Sequence, residues 1–241
     1  MSTLDIALSG GMHLAYLLII LGMIVGLALL PQVWVRRVID RHSADRPDFP
    51  GTGGEFAQHL VERLGLEGVR VEETKLGDHY DPEAKAVRLL PAHFRGRSLS
   101  AVVIAAHEVG HAMQDAAGYP PLKARTRLAK QAQKVESVGA MVMIAAPVLM
   151  ILSKSPHLLV LQGVVGVLIL GLTVLIHAST LPMEYDASFR RALPVLKSGN
   201  YIPAKDMRAA RQILRAAAFT YVAAAAMSLF NVMRWFRAVR I

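Results

Sequence analysis

Long uninterrupted apolar runs alternate along this chain with stretches where apolar and polar positions interleave, and the two patterns predict different elements. Ile6 to Val35 contains no Asp, Glu, Lys or Arg, and its core from Leu14 to Leu30 is long enough to cross a bilayer. It lacks a basic N-region and a small-residue cleavage site, so it reads as an anchor rather than a cleaved signal peptide. Leu158 to Ile176 is a second run of spanning length. Val138 to Leu152 is shorter and carries Pro147, and Ser153-Lys154-Ser155-Pro156-His157 joins the two into a helical hairpin. Ala216 to Met233 is apolar but rich in alanine. The pattern predicts an N-terminal anchor at 1–35, a hairpin at 138–178 and a C-terminal apolar helix at 216–241, about four transmembrane or membrane-embedded helices in all.

The region 36–137 has a different texture. Phe56, Leu60, Val61 and Leu64 recur at helical spacing and stop at Gly65, which predicts an amphipathic helix over Glu55 to Leu64. Pro47 to Gly54 reads as a linker. Val69-Arg70-Val71 and Ala86-Val87-Arg88-Leu89-Leu90 predict short strands around a turn at Gly77 to Pro82. The second strand would form a wall along which an extended peptide pairs through its backbone. Leu99 to Ile104 begins an apolar helix with Ser98 or Ser100 as its cap. In the region 179–215, Lys205, Arg208, Arg211 and Arg215 at three- and four-residue spacing predict a helix lying on a membrane surface. The fold class is therefore mainly α with a small β element, anchored in a membrane.

Composition sharpens the class. The 241 residues are 54% hydrophobic with a mean hydropathy of +0.38, too apolar for an ordinary soluble domain. There is no cysteine, which excludes disulfides and thiolate ligands. The formal net charge is +9, but no aromatic-basic recognition motif accompanies it, so no nucleic-acid partner is expected. Arg36, Arg37 and Arg41 follow the first apolar run and place the region after it on the cytoplasmic side of a cell membrane.

The chemistry concentrates in His107-Glu108-Val109-Gly110-His111. On a helix the two imidazoles stand one turn apart on one face and can share one ion, while Glu108 at the rim can take a proton from water activated by that ion. A third donor is needed, and no thiolate exists to supply it. Glu184 is the candidate: two predicted crossings separate it from His111, which returns it to the same side of the membrane. The competing role for Glu184 is a salt bridge with Arg190 or Arg191. Asp186, Arg190 and Arg191 are candidates to orient the ligands. His79 and Tyr80 are candidates to hydrogen-bond a developing oxyanion, with a simple turn as the competing reading; for His93 an ordinary structural position is favoured. One Zn2+ per chain is expected, although two imidazoles and a carboxylate also suit manganese, cobalt or iron.

With His107-Glu108-x-Gly110-His111-Ala112-x-Gln114, Leu181-Pro182-x-Glu184-Tyr185-Asp186-Ala187-Ser188 and Asp78-His79-Tyr80-Asp81-Pro82 all in view, the chain resembles the YugP-type neutral zinc metallopeptidases, membrane proteins of bacteria. The resemblance implies a gluzincin-like fold, zinc on His107, His111 and Glu184, Glu108 as base, and peptidase activity. The chain is more distantly similar to HtpX-like peptidases, in which an aspartate follows the third ligand by four residues; here Ser188 stands at that position. The reading is a membrane-bound zinc endopeptidase acting on peptides or membrane proteins, with a homo-oligomer or a membrane partner protein compatible with the sequence. A membrane scaffold or adaptor with a structural or vestigial zinc site is the alternative, and a metal transporter or sensor is a weaker third.

Overall fold

The first helix, α1 at Gly53–Arg63, begins where a reciprocal cap forms. The Thr52 hydroxyl accepts from the Glu55 amide at 3.2 Å, and the Glu55 carboxylate accepts from the Thr52 amide at 2.7 Å. It therefore starts two residues before the expected Glu55. Ala57, Leu60 and Val61 form its buried stripe, and Gly65 ends it with a φ of 63° that suits glycine. In this computed structural model the described residues are 29–125 and 179–220, with Gly22, Gly26, Arg127, Leu128, His157, Val164, Val165 and Leu168 as isolated positions. The expected linker before α1 is packed: Phe49 is buried, and Arg46 reaches Asp206 at 2.8 Å.

Three short strands follow, β1 at Arg70–Glu73, β2 at His79–Asp81 and β3 at Ala86–Leu89, in the order β1-β3-β2. The stretch read as a bare turn contains β2, because Tyr80 pairs opposite Val87 in an antiparallel register. Asp81 shapes the connection by accepting from the Glu83 and Ala84 amides, an Asx-type turn. Its carboxyl is held below the ordinary aspartate range first by the Ala84 amide, with Arg88 also contributing. The expectation that β3 is the wall for a substrate is corrected: β1 and β2 flank it on both sides, so its backbone is already paired. The outer edges of the sheet belong to β1 and β2.

After the one-turn helix α2 at Pro91–Phe94, the long helix α3 runs over Leu99–Ala116 and forms the axis of the molecule. Ser98 is its cap, accepting from the Ala101 amide at 3.1 Å. Gly118, at φ 64°, follows its end. All its residues from Leu99 to Ala112 are buried, because α1, the sheet and a later segment enclose it. That later segment starts with a helix at 179–185, widens to π-helical geometry over Asp186–Ala192 and continues as α4 at Leu193–Ser198. Isolated π turns of this kind recur at functional sites.

The close approach of α3 to this segment depends on Gly110. A Cβ there would lie 2.7 Å from the Ala187 carbonyl oxygen and 3.3 Å from its carbon, both backbone atoms. Overpacking of this kind costs roughly 1–3 kcal/mol, against about 1 kcal/mol of helix propensity gained from alanine. Gly110→Ala is therefore expected to lower the denaturant midpoint. An unchanged midpoint would show that the two elements can separate freely.

The membrane part of the fold expectation is corrected. Among the described residues no helix is long and apolar enough to cross a membrane; the described architecture is mainly helical with a small sheet. The described helical residues 29–41 carry Arg36, Arg37, Asp40 and Arg41. The helix at 207–220, read in part as a surface helix and in part as a crossing, buries Ala210, Ile213 and Leu214 in the protein core while Arg208, Arg211 and Arg215 face outward. Amphipathic spacing here reflects packing on protein. Most of the run from Leu14 to Leu30, nearly all of the hairpin at 138–178 and the stretch from 221 onward lie outside the described residues.

Candidate metal centre

Helical periodicity on α3 places the His107 and His111 rings edge to face, with centroids 4.7 Å apart. The helix at 179–185 brings Glu184 between them. Glu184 Oε2 lies 3.3 Å from His107 Nε2 and 3.2 Å from His111 Nε2, and all three side chains are buried. Among the described residues these three form a group whose donor atoms all lie within 4.8 Å of one another. The competing role of Glu184 as a partner of Arg190 or Arg191 is not what the structure contains, since Arg191 pairs with Asp186 at 2.8 Å.

The hydrogen bonds around the rings show what this arrangement requires. Ser188 Oγ donates to the Leu214 carbonyl at 3.2 Å, so it accepts from His107 Nδ1 at 3.0 Å. Gln114 Nε2 donates to the Met183 carbonyl at 2.8 Å and to Asp186 Oδ2 at 2.9 Å, so its Oε1 accepts from His111 Nδ1 at 2.9 Å. With each Nδ1 proton committed, the neutral form of either ring turns an Nε2 lone pair toward a carboxylate oxygen. Three electron-rich atoms converging in a buried space repel one another unless a cation joins them. Glu184 Oε1 is also buried and, among the described residues, without a hydrogen-bond partner. Ligands about 2.0–2.1 Å from one tetrahedral zinc stand roughly 3.3 Å apart, close to the separations seen here. The residues fit a metal ion.

The charge balance of the centre turns on Glu184. Burial disfavours the charged form of Glu184, but His111 and His107 outweigh it and hold the carboxyl well below the ordinary range. For His111 burial works against the imidazolium, and the Glu184 carboxylate more than offsets it, raising the ring. Glu108 behaves in the opposite way. Burial pushes its carboxyl above the usual value, Asp78 and Glu184 add to that, and the two histidines oppose it.

Glu108 and the three donors open onto one cavity of about 280 Å³, bordered also by His79, Tyr80 and Arg125. His79 donates from Nδ1 to the Gly77 carbonyl at 2.8 Å, so its neutral form leaves Nε2 without a proton. The Tyr80 hydroxyl donates to Asp115 Oδ2 at 2.8 Å, and its phenol is pushed upward by burial and then by Asp115. His93 is buried behind the cavity wall and donates to Asp78 at 2.8 Å, a structural role. Asp186 reaches the centre through Gln114, and Arg191 reaches it through Asp186, with its guanidinium 5.7 Å from the Tyr119 ring centroid. Arg190 is exposed.

Sequence reasoning missed Gln114, Ser188 and Asp78 as parts of the site. Gln114 lies three residues past His111 on one helix face, a signal that spacing could have flagged. Ser188 lies four residues past Glu184, and its hydroxyl holds His107.

A family model described as putative neutral zinc metallopeptidase matches residues 16–240. The chain is 33% identical over 213 residues to a protein of Bacillus subtilis (strain 168) named putative membrane protease YugP, covering 88% of this chain and 91% of that protein. No solved structure matches.

Proposed function

The chain belongs to the family of putative neutral zinc metallopeptidases, and from that premise we propose that it hydrolyses peptide bonds as a zinc-dependent endopeptidase. The ion would be held by His107, His111 and Glu184, one per chain. The observation that carries the reading is the opening of Glu108 and this donor set onto the same cavity. When bound, zinc supplies Lewis acidity that polarises a peptide carbonyl and brings the pKa of water toward neutrality.

The chain's own residues supply the rest. Glu108 takes the proton of the attacking water, holds it on a carboxyl whose affinity for protons is raised by burial, and delivers it to the leaving amine nitrogen. An extended substrate pairs with the outer edge of β2, which brings its backbone past the cavity. His79 and Tyr80 border the cavity as the groups to hydrogen-bond the developing oxyanion, Tyr80 after releasing Asp115.

A structural zinc site is disfavoured. Such sites are closed by four protein donors, whereas three converge here among the described residues. The enzyme works at a membrane surface, consistent with the name of the Bacillus subtilis relative. Exposed Leu30, Val33, Trp34 and Phe219 beside Arg36 and Arg37 suit an interface, and these arginines favour the anionic cytoplasmic leaflet. The test is incubation of zinc-loaded protein with an unfolded polypeptide, followed by mass spectrometry for new termini. Internal cleavages that disappear in the Glu108→Gln protein support the proposal; an uncut polypeptide overturns it.

A further inference from the structure

Gln114 is fully buried, and which end of its amide faces which neighbour is dictated by chemistry. The Met183 carbonyl and the Asp186 carboxylate can only accept, so the amide NH2 must face them, at 2.8 and 2.9 Å. Its oxygen is thereby forced toward His111 Nδ1 at 2.9 Å. Asp186 is itself held by Arg191 Nε at 2.8 Å. One side chain on α3 thus grips the backbone one residue before Glu184 and the carboxylate two residues after it, while fixing a ring on its own helix.

We infer that Gln114 is a positioning residue that clamps the Glu184 segment onto α3 and sets the His111 ring with its Nε2 lone pair toward Glu184. This rests on the metal-centre reading above. The separation of His111 from Glu184 is 73 positions along the chain; without a tie between the two segments, three donors would have to be ordered at the moment of binding. The entropy of that ordering opposes binding. The clamp removes part of it beforehand, and its loss lowers affinity for the ion before any turnover occurs.

The experiment measures zinc affinity of the full-length protein by competition with a chromophoric chelator, and the visible spectrum of the cobalt-substituted form. Gln114→Met keeps a similar volume and removes all three hydrogen bonds; it is expected to weaken zinc binding about 10–100-fold and to alter the cobalt spectrum. Gln114→Glu sets a second carboxylate against Asp186 and is expected to weaken binding at least as much. Retention of parental affinity and spectrum by Gln114→Met overturns the inference. Should that variant not fold, Gln114→Glu decides: zinc binding weakened about tenfold or more supports the clamp, and parental affinity overturns it. Glu184→Ala runs alongside. Parental affinity in that protein would remove the metal centre itself, whereas its loss with an unaffected Gln114→Met would remove only the clamp.

Discussion

Glu108→Gln is expected to keep its zinc and lose peptide hydrolysis by roughly 10²–10⁴ in kcat/KM, the range assigned to a positioned general base. The substitution preserves shape, so the packing of α3 and the three donors stays as it is. What disappears is the ability to accept a proton, since an amide is not a base near neutral pH. The native carboxyl suits proton transfer because burial raises it, while the neighbouring imidazoles restrain the rise. The measurement pairs elemental analysis with the rate on an internally quenched peptide. Equal zinc content with a rate within tenfold of the parent would remove Glu108 from the reaction. Loss of zinc together with activity would show instead that Glu108 supports the centre.

The second large effect concerns the third donor. Glu184→Ala is expected to abolish stoichiometric zinc binding and with it the stabilisation that zinc confers. For the parent, an ion present at about 100 times its dissociation constant stabilises the folded state by about 2.7 kcal/mol, so the denaturant midpoint should move between zinc and chelator. In the variant that difference should collapse. The reason is that Glu184 is the negative charge that makes a buried pair of imidazoles attractive to a cation, and its Oε1 has no hydrogen-bond partner among the described residues. A variant midpoint that still shifts with zinc as the parent does would mean that the ion binds elsewhere.

Part of this molecule was legible from local pattern. The spacing of Phe56, Leu60, Val61 and Leu64 predicted α1, and Gly65 its end, because amphipathic periodicity and a glycine stop are both local. The Thr52–Glu55 reciprocal cap moved the start by two residues, a detail that the apolar stripe alone does not encode. At His79–Asp81 the sequence reads as a turn because Asp and Pro dominate it; it became a strand because β3 offers it a partner. The same cause overturned the role given to β3, since strand order depends on pairing and not on proximity to α3 in the chain. The basic helix near the end misled for a related reason. An apolar stripe opposite arginines looks alike whether it lies on lipid or on protein, and Ile213 and Leu214 lie on protein.

The centre divides along the same line. The spacing of His107, Glu108 and His111 on one helix was determined by sequence, because four residues bring a side chain back to the same face wherever the helix is placed. Which acid completes the set, and which groups hold the two rings, was decided by tertiary structure. Ser188 meets His107 across 81 positions and Gln114 meets Asp186 across 72, and such contacts depend on how closely two segments can approach. Here that approach is permitted by the missing side chain of Gly110 against the Ala187 backbone, a steric fact that exists only once both segments are in place.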